Sequence, residues 1–541
     1  MRRAVILGVS AVLAAGALTA PAAAYGPDPV SDDYQAAAGA VVAAQQAAAA
    51  DLKFGACPAG TRLKAPIQCG RVQVPVDYSQ PQGKKISLLV SRLKASGPAS
   101  ARQGALLFNP GGPGGSGLWF PRLGQADIPA PTRQIWAASA RAYDMVGFDP
   151  RGVGYSAPIS CVKPSDYQHA PTPDPRHPTA KVKTRERARA QARAAGCLKR
   201  SGALLGHMTT EDLARDLDVI RAALHEQKLN YFGVSYGTYL GAVYAHMFPS
   251  HVRRMVFDSV VNPDPRGIWY GANLEQDIAF EKRWADWRAW AARHDKVYRL
   301  GSTPAKVMAS FDKAMRKLAK HPAGGKVGPG ELHAQAVQAS YYDPQWVPFA
   351  YQLSRYLHGD AKPLTAAATP DPGSAKNDEN SEAVYLAVQC GDASWPRDWQ
   401  IWERDNSRLA KKYPFETWSN AWLNLPCASW PVHSSHPVDV RVPHGAGLPP
   451  VLIVQSERDA ATPYSGALEL HRRLAGSRLI TEVGRGSHGL ISFRNRCLND
   501  RVDRYLLTGH TGPHDVRCAG HPLPAPTGAQ GARDANAGRW Y

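Results

Sequence analysis

The chain lacks the local patterns that mark several large functional classes. None of its eight cysteines falls in a Cys-x-x-Cys pair, which removes the common zinc and dithiol-redox spacings. No phosphate-binding glycine loop and no clear metal-ligand cluster occurs, so neither a cofactor nor a metal is expected. No internal repeat is visible. After the N-terminus there is no apolar run near the ~20 residues a spanning helix needs. Acidic residues are the scarcer charge, 45 against 64 Lys and Arg, for a net charge of +19. That excess is spread out, and its densest run, KVKTRERARAQARAAGCLKR at 181–200, has no interleaved aromatics. It reads as a solvated helix face, and no nucleic-acid partner is expected.

The N-terminus has its own pattern. Arg2 and Arg3 precede an apolar stretch from Ala4 to Leu18, followed by Ala22-Ala23-Ala24, the layout of a secretory signal peptide over 1–24. A secreted, extracellular protein without a membrane span follows. The even cysteine count fits that compartment, and pairing neighbours in order is the simplest disulfide hypothesis because each loop is then local.

The predicted organisation is α/β, a mostly parallel sheet flanked by helices. The alanine-rich 25–70 is an N-terminal segment, either a short pro-segment or a helix. Apolar runs closed by Gly/Pro loops at 86–95, 104–110 and 143–152 read as buried strands. TTEDLARDLDVIRAALHEQ has a threonine cap, an acidic first turn and helical spacing of Leu213, Leu217, Ile220 and Leu224. Strands are expected again at 252–263 and 449–463. Between them, 264–448 holds eleven of the fourteen tryptophans and reads as an inserted, mainly helical lid. The sheet domain is thus split into 71–263 and 449–518, and 519–541 is expected to be a loose tail.

YFGVSYGTYLG at 231–241 places Ser235 between Gly233 and Gly237, where a strand should meet a helix. Such a Gly-x-Ser-x-Gly elbow lifts a serine oxygen out of a sheet. Serine needs a base and an orienting acid. Asp459 follows the strand VLIVQSERD, and His488 lies further on in the glycine-flanked VGRGSHGL, the Ser, Asp, His order of α/β-hydrolases. FNPGGPGGSG at 108–117 offers unobstructed backbone amides for a developing oxyanion.

FNPGGPGGSG resembles the His-Gly-Gly-Pro-Gly loop of the proline iminopeptidase family of α/β-hydrolases, with Asn109 in place of the histidine. DMVGFDPRGVGYS at 144–156 is similar to a second segment of that family, and the elbow, SERDAATP and GSHG also match. Within the family, the signal peptide and LAVQCGDASW are like those of secreted bacterial tripeptidyl aminopeptidases. The resemblance implies a serine exopeptidase acting on peptides and proteins with free N-termini. Ser235 is then nucleophile, His488 base and acid, and Asp459 the orienting carboxylate. Amides of Gly112 and Tyr236 form the oxyanion hole, with Gly111 as an alternative, while Asp149 and Arg151 hold loops. Recognition of an N-terminal amine calls for a lid carboxylate. Asp277 and Glu281 share a helix face at i, i+4, and Asp392 follows Cys390; of these, Glu281 and Asp392 are the expected amine ligands. The rival activity is an exported carboxylesterase, since the same triad attacks esters.

Overall fold

The computed structural model describes residues 29–528 apart from 126, 127, 129, 433–435 and 491–494. The signal-peptide expectation lies outside the described residues, as does the tail beyond 528.

Nine strands form one sheet: β1 (Gln68–Pro75), β2 (Lys85–Leu93), β3 (Ala105–Asn109), β4 (Asp144–Phe148), β5 (Leu229–Val234), β6 (Val252–Asp258), β7 (Leu452–Ser456), β8 (Arg478–Val483) and β9 (Val516–Ala519). Their order is β1-β2-β4-β3-β5-β6-β7-β8-β9. Only the pairings β1/β2 and β2/β4 are antiparallel; β4 through β9 run parallel. This is the α/β-hydrolase fold. The central strands ALLFN, DMVGF, LNYFGV and LIVQS are buried along their whole length, as strands covered by helices on both faces must be. Edge strand β1 alternates instead, exposing Arg71 and Gln73 while burying Val72 and Val74.

The helix Thr210–Ala223 begins as its sequence predicts, with the Thr209 hydroxyl accepting the Asp212 N–H. Against it packs the helix Pro29–Ala49, burying Ala40, Ala43, Ala44 and Ala47. The segment before β1 is therefore part of the fold, and Cys57–Cys69 ties it to β1 itself. Cys161–Cys197, Cys390–Cys427 and Cys497–Cys518 complete the neighbour-in-order pairing.

Helices fill the interval between β6 and β7, but they do not make one body. The helices from Tyr270 to Ala368 gather around their own core, in which Trp284 stacks on Trp287 at 4.9 Å and on Phe415 at 4.8 Å. The helix Ala375–Asp392 and the tryptophans Trp395, Trp402 and Trp418 belong instead to the core beneath the sheet. The basic helix Ala180–Ser201 is less free than its charge suggests, because Lys183 and Arg187 lie over Trp418 and Trp399.

Residues 519–528 correct the loose-tail expectation. His521 sits between Glu482 of β8 and Asp343 of the insert, at 2.9 and 3.1 Å. Farther on, the Pro524 carbonyl accepts the Trp290 indole N–H at 3.1 Å. Proline- and alanine-rich composition concealed two polar anchors, of which His521 is buried.

Candidate active site

The elbow is built by crowding. Ser235 follows β5 with φ 58° and ψ −127°, a left-sided conformation held by its N–H donating to the Asp258 carbonyl at 3.0 Å. Two glycines make the turn fit. A Cβ on Gly233 would lie 2.4 Å from the Gly237 carbonyl oxygen, and one on Gly237 would lie 2.5 Å from that of Asn109. Tyr236 opens the helix Tyr236–Met247, so its N–H has no intrahelical acceptor.

The glycine-rich loop after β3 passes directly over this turn. Gly111, at φ +91°, approaches so closely that a Cβ there would lie 2.9 Å from the Ser235 Cβ. Its N–H donates to the Asn109 side-chain oxygen at 2.9 Å. Asparagine therefore supports the loop where the resembling family has histidine, and Gly111 has no amide to spare. Gly112 lines the cavity beside Ser235 and Tyr236, which favours its N–H over that of Gly111.

His488 and Asp459 meet beside the same cavity. Imidazole Nδ1 lies 2.9 Å from Asp459 Oδ2, and both side chains are buried. Asp459 is itself fixed, with Oδ1 accepting the N–H groups of Ala461 at 2.9 Å and Thr462 at 3.1 Å. The His488 N–H donates to the carbonyl of Tyr341 at 2.9 Å, so the insert helps hold the histidine loop. Burial alone would push the His488 pKa down, but the Asp459 carboxylate outweighs it and the pKa is raised. Thr462 and Tyr341, each bonded to His488 or its backbone, line the cavity that contains Ser235. Asp149 and Arg151 hold loops, as expected. Arg151 is fully buried, bonding Asp216 at 2.6 and 2.7 Å and the carbonyls of Pro75, Val76 and His207.

Neither expected amine ligand reaches the cavity. Glu281 spends its carboxylate on the Phe415 N–H at 3.0 Å and on Arg288 at 3.7 Å. Asp392 is a buried helix anchor that accepts the N–H and hydroxyl of Thr210, both at 2.6 Å, and the Trp269 indole at 3.3 Å. Both acids are consumed by protein donors, which corrects the expectation. The cavity wall carries the acids Glu275 and Glu416 instead, with Gln389, none of them singled out by the sequence. Glu416 stands in the ordinary-looking PFETW, and no local spacing distinguishes it from other lid acids.

Comparison with known proteins sets the family. A profile described as TAP-like protein matches residues 413–518. Over 526 residues the chain is 54% identical to a tripeptidyl aminopeptidase of Streptomyces lividans, covering 96% of each. The chain belongs to the tripeptidyl aminopeptidase family. It is also 31% identical over 472 residues to serine protease Hip1 of Mycobacterium tuberculosis, covering 83% of this chain and 87% of that one. Carboxylesterase B of the same organism is 32% identical over 472 residues, covering 84% and 86%. Among the described residues no helix is long and apolar enough to cross a membrane.

Proposed function

We propose that this chain is a serine exopeptidase that removes short peptides, tripeptides foremost, from the free N-termini of peptides and proteins. Ser235, His488 and Asp459 carry the reaction. The observation that most supports this is the Asp459-held imidazole, 2.9 Å from its carboxylate, beside a cavity that presents the strained Ser235 and the amides of Gly112 and Tyr236. The family relatives named tripeptidyl aminopeptidase supply the substrate class.

In the acylation step Ser235 Oγ attacks the scissile carbonyl carbon while His488 Nε2 takes its proton. The carbonyl electron pair moves onto oxygen, where the N–H groups of Gly112 and Tyr236 stabilise it. The C–N bond then breaks, and His488 returns the proton to the leaving amine. A water attacks the resulting ester by the same route, freeing the short peptide and restoring Ser235. Asp459 accepts the Nδ1–H of His488 and fixes that tautomer, so Nε2 is the basic nitrogen. Export is part of the proposal: the N-terminal sequence pattern and four disulfides both suit an oxidising exterior.

The relative named carboxylesterase B favours a second reading, hydrolysis of small esters. One experiment separates the two: kcat/KM for a chromogenic tripeptide amide with a free amine, for its acetylated twin, and for a short-chain ester. Cleavage of the free form with release of the intact tripeptide is expected, and Ser235→Ala should abolish it while leaving the melting temperature unchanged. Equal or better turnover of the blocked peptide and ester would favour the esterase.

A further inference from the structure

His488 sits on the loop that leaves β8, and a buried ion cluster holds that loop at its root. Glu482, next to last in β8, is fully buried. Its Oε1 accepts the Asn495 side-chain N–H at 2.8 Å and lies 2.9 Å from His521 Nδ1, while Oε2 accepts the Ser456 hydroxyl at 3.1 Å. The other imidazole nitrogen of His521, Nε2, lies 3.1 Å from Asp343 Oδ2. Asp343 Oδ1 accepts from the guanidinium of Arg283. The His521 backbone joins in, its N–H donating to Glu482 Oε1 at 3.1 Å and its carbonyl accepting from Arg485.

These contacts converge on His488. Asp343 lies just past the helix Pro329–Tyr341, and the strip from Tyr341 to Asp343 runs beside the histidine loop. The Tyr341 carbonyl accepts the His488 N–H at 2.9 Å, and the Asp343 N–H donates to Ser487 Oγ at 3.0 Å. Glu482 thus fixes where the loop begins, Asp343 fixes the strip on which it rests, and His521 joins the two. Across the same root the Arg458 N–H donates to the Arg485 carbonyl at 2.8 Å, which registers the neighbouring loop that carries Asp459.

Both carboxylates draw on one ring. An imidazolium has two N–H groups, one for Glu482 and one for Asp343, whereas a neutral imidazole has one and turns a lone pair toward the other acid. The charged groups facing the ring are Glu482 on β8, Arg485 on the histidine loop, and Asp343 and Arg283 in the insert. Arg283 pairs with Asp343, and Arg485 donates to the carbonyls of His521 and Gly484, so neither replaces a charge lost beside Glu482. Burial opposes the charge on His521, yet its two acid partners raise its pKa to about 9.

We propose that His521 is a positioning residue for His488: its imidazolium clamps Glu482 to Asp343 and so holds the His488 ring where Nε2 can take the Ser235 proton. The inference rests on the triad of the reading above and gives the C-terminal segment a part in the reaction. When the His521 ring loses its proton, the clamp opens and His488 loses its register while the fold persists.

The test reads Ser235 directly, with a neutral fluorophosphonate that carries no amine. Ser235 Oγ attacks phosphorus, the P–F bond breaks to release fluoride, and the serine proton passes to His488, so the labelling rate reports the Ser235–His488 pair whatever the substrate. In the wild type this rate should rise as His488 becomes neutral and fall again through about pH 9, with the far-UV circular dichroism unchanged up to pH 10. His521→Gln should label at least about tenfold more slowly at pH 8 and lose the alkaline fall. His521→Lys keeps a cation between the two acids and should restore most of the rate, its alkaline fall moving to higher pH because lysine ordinarily titrates at about 10.4. A folded His521→Gln that labels at the wild-type rate, a wild type without an alkaline fall, or a fall that does not move in His521→Lys overturns the clamp alone. If His521→Gln does not fold, the other two profiles decide. Labelling that persists in Ser235→Ala overturns the nucleophile assignment and the clamp with it.

Discussion

The carboxylate of Asp258 accepts the backbone N–H of Leu490 at 2.9 Å, two residues beyond His488. The same residue's carbonyl receives the N–H of Ser235 at 3.0 Å, so the end of β6 holds both the elbow and the histidine loop. Asp258 also favours the protonated form of His488 by its charge. In Asp258→Asn, kcat is expected to fall roughly tenfold or more as the loop loses its register, with KM little changed. The acid limb of the pH profile should move to lower pH, because removing a nearby negative charge lowers the His488 pKa. An unshifted acid limb would show that Asp258 does not act on the imidazole.

The raised pKa of His488 sets the pH dependence of the wild type. Only the neutral imidazole can accept the Ser235 proton, so kcat/KM should decline as pH falls through a value above the ordinary 6.5. Asp459→Asn removes the charge that raises this pKa and lets the ring adopt the wrong tautomer. Its kcat is expected to drop by about 10⁴-fold. A pH–rate profile of both proteins tests the pair, and a variant within threefold of wild type would exclude Asp459 as the orienting acid.

Gly111→Ala tests the close approach of the glycine loop to the elbow. The new Cβ would lie 2.5 Å from the Val234 carbonyl and 2.8 Å from the Tyr236 nitrogen, at a φ of +91° that alanine rarely adopts. The loop must shift, which displaces the Gly112 N–H. A loss of at least about 100-fold in kcat is expected, as for removal of one oxyanion donor. Wild-type kcat in a folded variant would mean that the loop contributes no donor.

His521 makes stability pH-dependent. Burial opposes its charge, but its bonds to Asp343 and Glu482 raise its pKa from 6.5 to about 9. A raised folded-state pKa stabilises fully below 6.5 and loses that stabilisation as pH climbs through about 9. The shift corresponds to roughly 3 kcal/mol at most. Thermal melts of wild type and His521→Gln should therefore differ most at pH 6 and converge by pH 10. Parallel curves across that range would refute the linkage.

The parts of the site that were legible in the sequence are those fixed by short stretches of chain. Ser235 announces itself through flanking glycines that the turn requires, and Asp459 and His488 through their positions after strands. Which acids face the cavity was not legible, because that depends on how distant helices converge. Asp277 and Glu281 lie four positions apart on one helix, yet Asp277 meets Asn420 while Glu281 meets Phe415 and Arg288. The hydrogen-bond donors that each acid meets come from 143 and 134 residues away in the chain, and no local pattern encodes them. The order in the C-terminal segment was hidden for a similar reason, since His521 finds its partners on β8 and in the insert.

The anchoring of His521 and Pro524 bears on how substrates enter. The insert joins the sheet domain through its two chain connections and through contacts such as Tyr341 with His488, and the C-terminal segment adds a further fastening that restrains it from swinging. A roof bolted in this way works as a sieve. With the insert fixed in this way, a substrate is expected to reach Ser235 with its first residues extended, since the roof does not swing aside for it.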